Sequence, residues 1–366
     1  MARKLKSDKL LFLSILLLAC TSVVMVYSAS APLAMDRYDQ PYFFLSKQAV
    51  WIVLGMALLL VASQVDYRRL RHPLVIWTVL GLTVAALIAV LFAQPINGTR
   101  RWLGIAGMGV QPSEFSKLAV ILFTAAVLER RMDRIDDIGY SLPPIVFVSG
   151  LIGALILLEP DFGTTLVLML IVGAMVFAAG LSYQYLVGVG AALLPLMYVV
   201  LTSADYRRRR MLAFLDPWED PLGDGFQIIQ AQIAVGTGGV FGQGLMAGVQ
   251  KLFYLPYPHT DFIYAVIAEE TGLIGASIIL LCFCIIVLRG FRVAALAPDR
   301  FGALLATGLT TLVAVQAFVN ISVVLGLLPT TGIPLPLISA GGSSLLVSLV
   351  GMGILLNISQ HASAET

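Results

Sequence analysis

Charge is scarce in this chain. Asp, Glu, Lys and Arg make up 12% of the 366 residues, against 59% hydrophobic residues. Soluble domains carry about 25% charge, and a mean hydropathy of +0.92 excludes a soluble fold of this size. Cysteine and histidine are almost missing, at three residues each. Cys20, Cys282 and Cys284 all sit in apolar runs, which excludes a disulfide framework. No Walker-type glycine loop, no Cys/His metal spacing and no Ser-His-Asp order is present, so no nucleotide cofactor is expected. No internal repeat is evident. The net charge of +2 gives no reason to expect nucleic acid as a partner.

What is present is a series of long apolar runs. They predict an all-α polytopic membrane protein: a single transmembrane domain over residues 1–366. Ten helices are expected near 9–28, 46–64, 73–93, 113–129, 142–158, 163–181, 184–202, 260–288, 302–324 and 340–357. A large extracytoplasmic loop, 203–259, separates the seventh from the eighth. Ala29-Ser30-Ala31 resembles a signal-peptide cleavage site, but the apolar run is long and Pro32 disfavours cleavage, so a retained first helix is expected. With the N-terminus inside, the inside segments hold Arg3, Lys4, Lys6, Lys9, Arg68, Arg69, Arg71, Arg130, Arg131, Arg134, Arg289, Arg292 and Arg300. These are thirteen of the 23 basic residues, as the positive-inside rule requires. Both termini are then cytoplasmic.

Two basic clusters fall outside against that bias: Arg100 with Arg101, and Arg207 with Arg208, Arg209 and Arg210. Guanidinium groups there suit phosphates of a lipid head group; a solvated loop with its own acidic neighbours is the alternative. Within the loop, residues 225–236 read as a short amphipathic helix able to lie on the membrane surface. Gly238 to Gly244 reads as a flexible run able to approach a ligand closely.

Carboxylates beside lipid are costly and normally face a partner, a cavity or water. Asp261, Glu269 and Glu270 lie together at the start of an apolar run. A helix from about Thr260 would put Asp261 at its outer mouth, for acid–base chemistry or merely as a helix cap with Thr260. His259 adjoins and could tune it. Glu114 and Lys117 are three apart and can pair on one helix face, toward a cavity or as a packing device. Glu159 and Asp161 flank Pro160 at a helix break, where two carboxylates could contribute to a Mg²⁺ or Mn²⁺ site shared with phosphates. Gly341-Gly342-Ser343-Ser344 could receive an anion or serve close packing.

Several of these stretches together resemble the SEDS family (shape, elongation, division, sporulation). They are His259-Thr260-Asp261-Phe262 with Glu269-Glu270, Gln111-Pro112-Ser113-Glu114 to Lys117, Glu159-Pro160-Asp161-Phe162-Gly163-Thr164, Phe214-Leu215-Asp216-Pro217-Trp218, and Pro336-Leu337-Ile338-Ser339-Ala340-Gly341-Gly342-Ser343-Ser344. The match runs from Tyr27 to Ser359, in order, and leans to the division branch rather than the elongation branch. Ala340 departs from it, standing where the family often has an aromatic residue.

The resemblance implies a ten-helix peptidoglycan glycosyltransferase of the bacterial cytoplasmic (inner) membrane. It would polymerise lipid II at the outer face, inverting the donor sugar and releasing undecaprenyl pyrophosphate. A class B penicillin-binding protein and other divisome or elongasome membrane proteins are the implied partners. Asp261 is the implied general base. Glu114, Lys117, Arg100, Arg101, Arg207 to Arg210, His259, Thr260, Glu269, Glu270, Ser343 and Ser344 are expected around the substrate, with Asp161 and Glu159 at any divalent cation. A flippase for the lipid-linked precursor and a non-catalytic scaffold are the competing expectations.

Overall fold

A computed structural model describes residues 7–95, 99–105, 108–202 and 205–362. α1 (Lys9–Tyr38) and α2 (Phe43–Gln64) form a hairpin, and α3 (Pro73–Leu91) follows a 3-10 turn at Tyr67–Arg71. A small antiparallel ribbon comes next: β1 (Leu103–Ile105) and β2 (Met108–Val110), with Leu103 opposite Val110. The remaining elements are α4 (Pro112–Arg131), α5 (Ile138–Ser141), α6 (Pro143–Leu158), α7 (Phe162–Ala178), α8 (Tyr183–Thr202), α9 (Asp205–Leu215), α10 (Phe226–Gly238), α11 (Ile263–Ala295), α12 (Arg300–Val324) and α13 (Gly342–Ala362). The ribbon is the one strand structure among the described residues, so the fold is all-α apart from six residues.

Local chemistry starts the helices where the chain needs them. Asp8 accepts the Leu10 and Leu11 amides and opens α1. Pro73, Pro112 and Pro143 stand in the first turns of α3, α4 and α6, where a missing N–H costs nothing. Asp299 caps α12 by accepting the Gly302 amide. α1 runs ten residues past its expected end, through Pro32, to Tyr38.

α1, α2, α3, α11, α12 and α13 are long and apolar enough to cross a membrane; α6 and α7 are apolar but shorter, at 16 and 17 residues. The apolar windows of α12 and α13 are 78% and 83% buried, whereas those of α2 and α3 are 17% and 28% buried. α12 and α13 are therefore the centre of the bundle. α12 packs on α4, α7 and α11, and α13 on α2.

α11 is two helices in one. Gly272, at φ 67 and ψ −167, breaks its helical path. The first part, Ile263 to Thr271, is buried nearly throughout and α10 packs against α11. α10 is thus a packed helix, with Ile228, Ile229, Ala231 and Ala234 inside, rather than one lying free on a membrane surface. The arginine run, expected in an irregular loop, is helical within α9.

One end of the bundle is laced by ion pairs and hydrogen bonds. Arg289 donates to Asp8 at 2.6 Å, Arg71 to Glu129 at 3.3 Å and Arg300 to Asp133 at 2.7 Å. Tyr67 and Arg68 converge on Asp299. The described basic segments expected inside meet at this end, and the Asp261 segment lies at the far end of the helices.

Candidate functional site

That far end contains a cavity of about 1170 Å³. Its walls come from the α1–α2 hairpin (Arg37, Tyr38, Phe44), the start of α7 (Asp161, Thr164), α9 (Arg210), the segment before α13 (Ala340, Gly341) and the first turn of α13 (Ser344). Glu114 lines it from α4, and His259, Thr260 and Asp261 line it together.

Backbone hydrogen bonds hold this last tripeptide. The His259 carbonyl accepts the Ala340 amide at 2.9 Å, and the Thr260 carbonyl accepts Ser339 Oγ at 2.5 Å. The Asp261 carbonyl accepts Asn320 Nδ2 at 2.8 Å, and the same amide group donates to the Ile333 carbonyl. Three consecutive carbonyls are thus tied to α12 and the proline-rich segment before α13. Such fixing is what a catalytic side chain requires of its backbone.

α11 begins at Ile263, and Phe262 at its N-cap makes no side-chain cap hydrogen bond. Asp261 stands in the turn before it. The helix-cap explanation for Asp261 therefore fails. Its half-buried carboxyl is pushed up to about 6 by desolvation, opposed by Arg210, the Thr260 hydroxyl and Arg101, with Asp161 reinforcing the rise. A smaller pocket of about 40 Å³ opens beside it, between Arg210, Gln227 and Asn320.

Glu114 and Lys117 form the buried pair that their spacing predicts, at 2.8 Å. Glu114 Oε2 is buried and has no protein partner. Asp161 caps α7, accepting the Thr164 amide at 3.1 Å and hydroxyl at 2.9 Å, and also takes Gln111 Nε2 at 3.3 Å. Arg101 donates to the Glu159 and Pro160 carbonyls, clamping the break between α6 and α7.

Residues 8–364 match the family model FTSW_RODA_SPOVE, described as cell cycle protein. The chain belongs to the FtsW/RodA/SpoVE family. It is 43% identical to the probable peptidoglycan glycosyltransferase FtsW of Geobacter metallireducens, over 96% of this chain and 94% of that one. It is 41% identical to stage V sporulation protein E of Bacillus subtilis, over 98% and 99%. Among solved structures it resembles a chain of a peptidoglycan synthase complex that coordinates polymerization and crosslinking, with TM-score 0.79, 31% identity, and 97% and 98% of the two chains covered. It also resembles the rod shape determining protein RodA of Thermus thermophilus, with TM-score 0.69, 29% identity and 97% of each chain covered.

Not every family-motif residue reaches the cavity. Glu269 and Glu270 are fully buried and bind the protein itself. Glu269 Oε1 accepts the Val249 and Gln250 amides at 2.7 and 3.1 Å. Glu270 accepts Ser28 Oγ at 2.6 Å, Lys251 Nζ at 2.5 Å and the Met246 amide at 3.0 Å. Both were expected at the substrate; both instead hold the loop over the first part of α11. The glycine run beside them has the same role. A Cβ at Gly238 would lie 2.0 Å from the Ala268 carbonyl oxygen, so the close approach is to the chain's own backbone.

The basic clusters also divide. Arg210 and Arg101 line the cavity. Arg100 donates to the Leu91 carbonyl, and Arg209 pairs with Asp224 at 3.4 Å. Arg208 is exposed and does not line the cavity, and the side chain of Arg207 lies outside the described residues. Ser344 lines the cavity with a buried, unpartnered hydroxyl, while Ser343 Oγ accepts the Gln111 amide at 2.9 Å.

The carboxylate pair does not fit a cation as expected. Glu159 is fully buried and absent from the cavity wall, with both oxygens unpartnered. Desolvation and Asp161 push its carboxyl up to about 8, against Arg101, so it holds a proton near neutrality. Asp161 is engaged in capping. No group of three His, Cys, Asp or Glu side chains suited to a metal exists among the described residues.

Sequence reasoning missed Lys251, Asn320, Ser339 and Arg37. Lys251 lies in a polar loop and looks solvated, yet it is 5% exposed. Asn320 carried a usable signal: an amide within an apolar helix needs a partner.

Proposed function

We propose that this protein is a peptidoglycan glycosyltransferase that polymerises lipid II at the outer face of the bacterial cytoplasmic membrane, in cell division. The observation that carries the reading is Asp261: a carboxylate with a fixed backbone, on a large cavity, beside Arg210 and Arg101. With its pKa near 6, Asp261 is mostly ionised at pH 7 and still close enough to neutrality to accept a proton well.

Asp261 takes the proton from the acceptor's 4-hydroxyl as that oxygen bonds to the donor's anomeric carbon. The bond from that carbon to the pyrophosphate oxygen breaks, its electron pair leaves with the lipid pyrophosphate, and the anomeric configuration inverts. Arg210 and Arg101 face the charge that develops on the leaving group. Glu114, held by Lys117, forms part of the cavity wall. No step uses a metal.

The likeness to a chain of a peptidoglycan synthase complex that couples polymerization to crosslinking, with the SEDS resemblance, supports a class B penicillin-binding protein as partner, supplying transpeptidation; both termini are assigned to the cytoplasm. The ion-paired end supports that orientation, because the basic segments gather there.

The test is polymerisation of labelled lipid II by the purified protein, with and without the partner. Wild type yields glycan ladders, and Asp261→Asn yields none while still inserting and binding the partner. Ladders from Asp261→Asn would remove the base. Movement of lipid II across vesicles with no polymer would replace this reading with transport.

A further inference from the structure

One cavity is lined by three arginines. Arg210 and Arg101 act on Asp261, and Arg37 is the charge that acts on His259. Arg37 is exposed at the end of α1, lines the cavity, and makes no ion pair among the described residues. His259 is 7% exposed, lines the same wall, and has a buried Nδ1 without a hydrogen-bond partner. A buried polar atom with no protein partner needs one from outside the chain, a water or a ligand. Desolvation and Arg37 hold the imidazole pKa down at about 4, so the ring is neutral at pH 7 and offers one donor and one acceptor.

Phe44 completes the place. Its ring lies 4.7 Å from the His259 ring, tilted by 43°. Tyr38 stacks on Phe43 at 3.8 Å and meets Phe44 edge-on at 5.9 Å, which stiffens that wall. An apolar ring face beside a neutral donor–acceptor suits a pyranose; a guanidinium lining the same cavity suits a phosphate.

We propose that Arg37, Phe44 and His259 form a second subsite for a lipid-linked phosphosaccharide, the acceptor, while Arg210 and Arg101 take the donor. The inference rests on the glycosyltransferase reading. The assignment follows from charge. The donor's pyrophosphate gains charge as it leaves and belongs where two arginines face it. The acceptor's phosphates are unchanged by the reaction, and one arginine suffices to hold them. His259 is two residues from Asp261, so a sugar on Phe44 and His259 brings its hydroxyl toward the base.

The experiment uses the full chain carrying Asp261→Asn in nanodiscs, titrated with lipid II and read by native mass spectrometry. Two bound equivalents are expected. Arg37→Gln and His259→Gln should each weaken one of them about tenfold, the scale of a charge-assisted hydrogen bond, and leave the other intact. Arg37→Lys should restore part of the loss. Arg37 is exposed, so its replacement does not threaten the fold. A single equivalent, or two that neither variant weakens, overturns the subsite. Polymerisation by the protein with Asp261 intact judges the enzyme separately. Ladders with one equivalent defeat the subsite alone, and no ladder defeats both.

Discussion

At the scale of single residues, the chemistry depends on one carboxyl group with an unusual proton affinity. Asp261 must lose its proton to act as a base, so activity should rise about tenfold per pH unit below the inflection and level off above it. That inflection is expected near pH 6 in kcat/KM, rather than near the ordinary 3.8. Arg210→Gln removes a charge that favours the ionised form, so it should move the inflection upward and slow the reaction. An unchanged inflection would show that Arg210 does not act on the base. The same shift bears on stability. A folded-state pKa above the ordinary one means the folded protein holds this proton more tightly. Its contribution is complete below pH 3.8 and is lost as pH rises through 6. Asp261→Asn should accordingly raise, not lower, Tm above pH 6, which a thermal melt in detergent would check.

Asp261 stood out in the sequence as a candidate because charge is so rare here that each carboxylate near lipid demands a reason, and the family resemblance supplied its expected role. Glu269 and Glu270 passed the same filter and proved structural. The difference lies in their partners, the amides of Val249, Gln250 and Met246 and the ammonium of Lys251, none of which announces itself in sequence. Lys251 also donates to Ser28, 223 residues away. No local pattern encodes a contact of that separation.

At the scale of elements, the first part of α11 and the loop beside it stand or fall together. Lys251 and Glu270 are an ion pair at 2.5 Å with side chains 4% and 0% exposed. Lys251→Met leaves Glu270 as an uncompensated buried charge, which costs about 3–5 kcal/mol. The expected result is a clear drop in Tm and proteolytic opening of the loop. A Tm equal to wild type would mean the pair is not formed. Gly272 is the second weak point. Its φ is 67, and a Cβ there would lie 2.3 Å from the Gly242 amide nitrogen. Gly272→Ala should lower Tm and weaken activity indirectly, whereas Gly236→Ala, with open space around it, should do neither. Protection of the 239–244 amides from hydrogen exchange would separate the two variants. The kink was invisible beforehand because an apolar helix tolerates an isolated glycine, and only the close backbone of residues 239–244 makes this one necessary.

At the scale of the whole molecule, the two ends of the bundle differ in kind. One end is closed by Asp8–Arg289, Arg71–Glu129 and Arg300–Asp133, and the other opens into the cavity. If the ion-paired end faces the cytoplasm, a cysteine placed at exposed Arg208 should react with an impermeant maleimide in intact cells. One placed at Asp136 should react only after lysis. The reverse pattern would invert the proposed orientation and put the cavity on the wrong side for a cell-wall polymer. The sequence alone determined the membrane fold, the positions of the long helices and the sidedness expectation, and it singled out Asp261 as a candidate. Each follows from a local quantity: apolar run length, loop charge or a carboxylate's cost beside lipid. Only the tertiary structure decided which polar residues face the cavity and which bind the protein. It put Arg37 and Arg210 on one cavity while turning Glu159, Glu269 and Glu270 inward. That sorting depends on three-dimensional neighbours such as Ser28, Asn320 and Ser339, whose distance along the chain hides them from any local reading.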